Sequence, residues 1–124
     1  AAHNELRVSD GGQVVLNGGL LESARWVDIH AGGSLEGHGL IRAELFTKGI
    51  LSLSGKKPLV IDGNAYLSGE LKLSSIPYLK MDKSLSVIKA NSISGGFKNN
   101  EVFIGGKLFS IFYTPTSVTV KAKL

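Results

Sequence analysis

The sequence predicts an all-β fold: a right-handed parallel β-helix, which is a short solenoid, closed by a C-terminal β-hairpin-like cap. Three observations lead to this prediction. Apolar and polar residues alternate over short stretches, as in strands with one buried face. Most of the 16 glycines fall between those stretches, where the chain has to turn. The stretches also recur along the chain, and recurrence is the sequence signature of stacked repeats.

The first part of the chain predicts the solenoid. Each repeat has two apolar residues at i and i+2, a turn containing Gly or Asn, and then further alternating apolar residues. We align Val8, Ile29, Leu45 and Ile61 as equivalent positions, with intervals of 21, 16 and 16 residues. These four side chains are expected to be buried in one column, with rungs stacked about 4.8 Å apart. The four repeats span residues 6–19, 27–37, 43–55 and 59–73.

An antiparallel β-sandwich or jelly roll is the competing architecture, because it also joins many short strands by turns. Two-residue hairpin signals are rare, however, and the main candidates are Asn17-Gly18 and Asp62-Gly63. The repeat therefore favours the solenoid.

The second part of the chain predicts the last rung and the cap. Pro77 breaks the repeat, so we divide a single domain into rungs at residues 1–74 and a last rung with cap at 75–124. Residues 84–90 read as a strand, and residues 107–113 and 117–122 as a hairpin. Phenylalanines and a tyrosine are concentrated here, and we expect this end to be the most stable.

Residues 61–71 (IDGNAYLSGEL), 86–97 (SVIKANSISGGF) and 112–120 (FYTPTSVTV) carry a family resemblance. They are similar to the final rungs and the tyrosine-turn-strand element of bacterial autotransporter passenger domains. The resemblance implies an end-piece of a right-handed parallel β-helix belonging to a longer secreted or surface protein. It carries over no catalytic residues.

Composition limits the function classes. The net charge of +4 comes from scattered Lys and Arg, whereas nucleic-acid binding needs clustered cations, so no nucleic-acid partner is expected. The chain has no Cys, and no apolar run reaches the ~20 residues of a membrane helix, so we expect no disulfide and no membrane span. The start at Ala1 without Met suggests a processed chain or an excised fragment.

Catalytic and metal motifs are not evident. His30 and His38, with Asp28 and Glu36 nearby, lack the usual spacing of metal ligands. Stacked rungs would bring Asp28 near Glu44 on one outer face, and Asp10 near Asp62 at corners, only if the registers align, and we interpret these carboxylates as solvated charges. We therefore predict no enzyme activity, no metal and no cofactor.

Trp26, Arg25 and Tyr66 are the candidate ligand-binding residues. Trp26 is the only tryptophan, and beside Arg25 it is suited to stacking on a sugar from an outer face. The alternative interpretation is packing in the core or at a seam between rungs, which is the commoner role of aromatic residues.

Two functions remain open. The first is a non-catalytic structural module, a rigid stalk and C-terminal folding cap whose partner is the rest of its own precursor chain. The second is a carbohydrate-binding or oligomerising module of a phage tailspike, a fibre or a polysaccharide-degrading protein, with a glycan or further copies of itself as partner. We expect an extracellular or cell-surface location for the first, and allow a virion for the second.

Overall fold

The computed structural model describes residues 5–8, 11–53, 57–73, 84–104 and 107–122, and the side chains of residues 5, 6, 23–25 and 104 lie outside this description. All regular secondary structure in that part of the chain is β-strand, so the all-β prediction is confirmed. The strands form one mixed sheet that does not close on itself. They are β1 (Glu5–Val8), β2 (Gln13–Ile29), β3 (Ser34–Thr47), β4 (Ile50–Leu53), β5 (Leu59–Leu67), β6 (Glu70–Leu73), β7 (Ser84–Gly95), β8 (Glu101–Ile104), β9 (Lys107–Tyr113) and β10 (Ser117–Ala122).

Parallel pairing between β1 and β7 falls into three ladders. Ladder A contains residues 5–8, 26–29, 44–47, 64–67 and 92–95. Ladder B contains residues 13–17, 34–38, 50–53 and 70–73. Ladder C contains residues 19–22, 39–42, 59–61 and 88–90. The chain visits A, B and C in that order and then returns to A.

Alternation along the ladders explains the core. In β5, for example, Leu59 and Ile61 are buried, whereas Val60 between them and Asp62 after them are exposed. One side chain in two therefore points inward, and the inward side chains from all three ladders join a single hydrophobic cluster. The cluster extends from Val8 in the first strand to Val120 in the last, so the described strands share one core.

The predicted column of buried residues is wrong in register, although all its members are buried. Val8, Ile29, Leu45 and Ile61 have at most 6% of their surface exposed. Val8 and Ile29 do lie opposite one another in ladder A. The next position of that column, however, is Thr47, two residues beyond the predicted Leu45.

The remaining two positions belong to other columns. Leu45 lies between Val27 and Ala65 in ladder A, while Ile61 lies opposite Ile41 in ladder C. The prediction assigned two strands to each repeat, whereas the chain passes through three ladders before it returns to the same one. Ladder C was missed because the single strand β2 continues from B through C into A without a glycine turn at residues 23–25.

The C-terminal strands end the parallel ladders with antiparallel pairing. β10 pairs antiparallel with the first part of β7 and with β9, and β9 pairs antiparallel with β8. The hairpin predicted from residues 107–113 and 117–122 is therefore confirmed. Val102, Ile111 and Val118 from these strands join the common core. The predicted boundary at residues 74 and 75 lies outside the described part of the chain.

The aromatic residues of this end do not form the one buried cluster on which its predicted stability rested. Phe97 and Phe109 are buried, whereas Phe103 and Phe112 are 70% and 51% exposed. Tyr113 is partly exposed, but its hydroxyl accepts a 2.8 Å hydrogen bond from the Phe97 amide.

Asn99 closes the last strand of ladder B. Its Oδ1 accepts a hydrogen bond from the Leu71 amide (3.0 Å), and its Nδ2 donates to the Leu71 carbonyl (2.9 Å) and to the Glu101 carbonyl (3.0 Å). The side-chain amide thus makes the two bonds that the backbone of another strand would make. These bonds satisfy backbone groups that the end of a ladder otherwise leaves unpaired.

Candidate functional site

Three aromatic side chains share the outer surface of ladder A. Phe46 and Tyr66 each lie between two buried residues of their strands, and Trp26 directly precedes the buried Val27, so all three point away from the core. Trp26 and Phe46 are half-buried, and Tyr66 is 37% exposed. We call these three residues the aromatic row.

Strand register sets the geometry of the row. Phe46 and Tyr66 lie directly opposite one another, and their rings stack with centroids 4.6 Å apart and planes inclined by 11°. Trp26 lies opposite Glu44 instead, two residues from the Phe46 position, and it meets Phe46 edge-on at 6.4 Å and 82°. Both arrangements are favoured pairings of aromatic rings and add to the stability of ladder A.

A hollow of about 230 Å³ opens beside the Tyr66 end of the row. The rings of Phe46 and Tyr66 form its apolar side, together with Leu67. Its polar side comes from the corners and from β7: Thr47, Lys48, Ser68, Ser94 and Gly95. We call this the ladder-A hollow, and it combines apolar ring surface, hydroxyl groups and one ammonium group.

The corner that bounds the hollow is firmly held. Thr47 Oγ1 donates to the Ser68 carbonyl (3.1 Å), and Ser68 Oγ donates to the Thr47 carbonyl (2.9 Å). Thr47 is the only buried polar side chain among the described residues, and this exchange satisfies it. Gly95 has a φ of +74°, and a Cβ there would lie 2.3 Å from the Leu67 carbonyl oxygen, so glycine is required at this position.

A row of polar side chains runs beside the aromatic row. Asn64 Nδ2 donates to Glu44 Oε1 (3.3 Å), and Ser92 Oγ donates to Asn64 Oδ1 (2.8 Å). These residues occupy successive positions of ladder A, so the bonds connect three strands. These three polar side chains thus hydrogen-bond to one another and not to the aromatic row, in which Tyr66 remains exposed to solvent.

The other end of the row carries an ion-pair contact. His30 Nε2 lies 2.9 Å from Asp28 Oδ2, but the alignment is not that of a hydrogen bond, and Asp28 Oδ1 has no hydrogen-bond partner among the described residues. Across the same residues, no group of three or more His, Asp or Glu side chains is placed to hold a metal ion. His38, which follows His30 by eight residues in the sequence, lies opposite Asn17 in ladder B.

The predicted carboxylate neighbours are displaced from one another. Asp28 faces Phe46 and Glu44 faces Trp26, so the two carboxylates do not occupy the same level of ladder A. Both side chains nevertheless lie on the outer side of ladder A, two register positions apart, so they are diagonal and not direct neighbours. The other predicted pair includes Asp10, which lies outside the described residues.

The structure brings two of the three predicted ligand-binding residues into one row. Trp26 and Tyr66 lie at its two ends, and Phe46, which the sequence analysis did not select, lies between them. The side chain of Arg25 lies outside the described residues. A sequence signal for the row does exist, since residues 26, 46 and 66 are equally spaced by 20.

A second, larger hollow of about 620 Å³ lies over ladder C. Its walls include Leu20, Leu40 and Val60, which are opposite one another on the outer surface, together with His38 and Lys57. No Phe, Tyr or Trp is among the described residues that line it, and its only side-chain polar groups are those of His38 and Lys57. It offers apolar packing area, whereas the ladder-A hollow offers a flat ring beside several hydrogen-bonding groups.

Comparison with protein-family models, with curated proteins and with solved structures finds no match for this chain. In the part of the chain that the structure describes, no helix is long and apolar enough to cross a membrane.

Proposed function

We propose that the chain is a non-catalytic structural module of a secreted or surface protein, a rigid β-helical stalk with a C-terminal folding cap. The three ladders are then the three faces of a right-handed parallel β-helix. Their cyclic order supports this proposal, because a chain that visits A, B and C repeatedly has to wind around one core. Right-handed winding is the rule for parallel strands joined by crossovers.

The main observation behind the cap function is that the two ends of the ladders differ. At the β7 end, β10 pairs with β7 at ladder C, the side chain of Asn99 pairs with Leu71 of ladder B, and the Ile93 amide of ladder A donates to the Pro115 carbonyl. At the β1 end, residues 5–8 and 13–22 pair on one side only among the described residues. The backbone groups at the β7 end are therefore covered by the C-terminal segment, whereas the β1 end retains unpaired backbone groups with which a preceding rung would pair.

This arrangement suits the end-piece of a longer solenoid, in which a terminal cap protects the stack from association. It is also what the resemblance to autotransporter passenger domains implies. The partner at the open end is then the remainder of the precursor chain, and the location is extracellular or the cell surface. The residues at the candidate site pack, stack and form hydrogen bonds, which supports a non-catalytic role.

Deletion of residues 116–124 tests the cap. This change removes β10, which is the link between β7 and β9. We expect lower stability throughout the molecule and association in solution, measured by urea denaturation and light scattering. A matched deletion of residues 1–8 removes β1 at the open end, and we expect only local loss of protection from it.

Hydrogen exchange gives a second measurement on the intact chain. Amides of residues 84–120 are expected to exchange most slowly, because they connect the parallel ladders to the cap. Slower exchange in β1 and the first part of β2 would contradict the proposal. So would a 116–124 deletion variant that stays monomeric and as stable as the full chain.

A further inference from the structure

The end of the aromatic row exposes the face of an aromatic ring. The register partner of Tyr66 in the next strand is Ser94, whose side chain is too short to cover the tyrosine ring. The stacking series that begins with Phe46 therefore stops at Tyr66, which keeps 37% of its surface exposed. An exposed ring face at the edge of a hollow is a platform for the apolar face of a bound ring.

The volume of the ladder-A hollow limits the ligand to one ring. About 230 Å³ corresponds to roughly eight water molecules at ~30 Å³ each. That is below the range of about 300–1,000 Å³ typical of pockets for drug-sized molecules. A single six-membered ring fits such a volume, and the remainder of a longer molecule would extend into solvent.

The chemistry of the walls selects the type of ring. Ser68 and Ser94 also line the hollow; the Ser68 hydroxyl donates to the Thr47 carbonyl and can still accept, and the Ser94 side chain has no hydrogen-bond partner among the described residues. Lys48 is exposed in the same lining, and none of the described residues that line the hollow carries a carboxylate. A ligand with one apolar face, several hydroxyls and a negative charge complements all three features.

We propose that the ladder-A hollow binds an acidic sugar residue, a pyranose ring with a carboxylate. The apolar face of the sugar stacks on Tyr66, its hydroxyls bond to Ser68 and Ser94, and its carboxylate lies near the Lys48 ammonium group. Binding of one ring in an open hollow is weak, with a dissociation constant on the order of 1 mM. The site goes beyond the structural role and does not depend on it.

The test is a titration of the full chain followed by amide chemical shifts. The probes are the methyl glycoside of glucuronic acid, the methyl glycoside of glucose and benzoate. We expect the uronate to shift the amides of Lys48, Tyr66 and Ser94, with weaker shifts from the neutral sugar. If benzoate binds as tightly as the uronate or more tightly, the ligand of the hollow is an aromatic acid and the sugar proposal is wrong. If none of these probes shifts the amides that line the hollow, the proposal is also overturned.

Ser94→Phe is the decisive variant, because it adds a ring where the sugar would stack. Ser94 is exposed, so the new side chain can be accommodated without removing an existing hydrogen bond. Ser94→Phe should abolish uronate binding. Asn91→Phe introduces the same ring at another exposed position of β7 and should leave uronate binding intact. If Ser94→Phe still binds uronate with the same shifts, the ligand lies elsewhere and the proposal fails.

Lys48→Gln tests the charge. An exposed ion pair contributes about two- to fivefold to affinity. In Lys48→Gln, the ratio of uronate affinity to neutral-sugar affinity should therefore fall by about that factor. Lys98→Gln removes the same charge from another exposed position and should leave the preference unchanged. A preference that survives Lys48→Gln contradicts the assignment of the carboxylate to that rim.

Discussion

Gly49 lies at the corner between ladders A and B, where it approaches the backbone of the preceding corner closely. It is buried, and a Cβ at this position would lie 2.2 Å from the Gly33 carbonyl oxygen and 2.4 Å from the His30 carbonyl oxygen. Ordinary contacts between carbon and oxygen are about 3.3–3.6 Å, so Gly49→Ala forces a displacement of roughly 1 Å. Both obstacles are backbone atoms of the adjacent corner and cannot rotate away.

The hydrogen bonds of this corner give the magnitude. The Gly33 carbonyl accepts from the Ile50 amide at 3.0 Å, and the His30 carbonyl accepts from the Gly33 amide at 2.9 Å. A displacement of roughly 1 Å takes both bonds beyond hydrogen-bonding distance. Each costs about 1–3 kcal/mol when its groups are buried, so we expect Gly49→Ala to lower the free energy of unfolding by about 3 kcal/mol.

Urea denaturation followed by far-UV circular dichroism measures this loss, with Gly19→Ala as the matched control. Gly19 lies in β2, and a Cβ there would have no heavy atom within 4 Å. The control should be neutral or more stable by up to about 1 kcal/mol, because alanine restricts the unfolded chain. A loss below about 1 kcal/mol for Gly49→Ala, or equal losses for both variants, would show that the corner is not closely stacked.

The remaining predictions concern side chains that replace backbone pairing. Asn99→Ala should cost about 2–3 kcal/mol in urea denaturation because three hydrogen bonds are lost, whereas Asn100→Ala should stay within about 0.5 kcal/mol. Equal costs would refute the capping role of Asn99. Thr47→Val keeps the side-chain shape but loses one corner hydrogen bond, and should cost about 1 kcal/mol in the same assay. A gain in stability would mean that this bond is dispensable. Tyr113→Phe should cost about 1 kcal/mol and speed hydrogen exchange at the Phe97 amide, while unchanged exchange there would contradict the observed bond.

Strands and their buried faces could be predicted from the sequence because alternation reports burial directly. Val14, Leu35 and Leu51 each follow a glycine corner, and these three residues lie opposite one another in ladder B. Register elsewhere could not be read, because no glycine separates ladder C from ladder A at residues 23–25 or 43, and the Gly63 turn that does separate them was aligned with the glycine corners between ladders A and B. A register error of two residues leaves the same side chains on the buried face, so the alternation of apolar and polar residues does not reveal the error.

The candidate site was predicted only in part for the same reason. Trp26 and Tyr66 were selected as conspicuous single residues, but a binding surface depends on which side chains lie opposite one another. Phe46 and Ser94 become neighbours of Tyr66 only through strand register. Sequence spacing of 20 residues relates Phe46 and Tyr66, yet that spacing matters only because the register between β3 and β5 has the same offset.

That offset has a consequence for how the chain can change length. Between β3–β4 and β5–β6 the same shift of 20 residues relates Ile41 to Ile61, Leu45 to Ala65 and Leu51 to Leu71. A tandem duplication of 20 residues in this region therefore adds one level to each ladder and keeps every inward side chain inward, with an extension of about 4.8 Å. Other shifts require corners of a different length, as in the 21 residues that relate Val14 to Leu35 and the 18 that relate Val27 to Leu45. The number of levels in this region can thus change by duplication while β7 to β10 stay as they are.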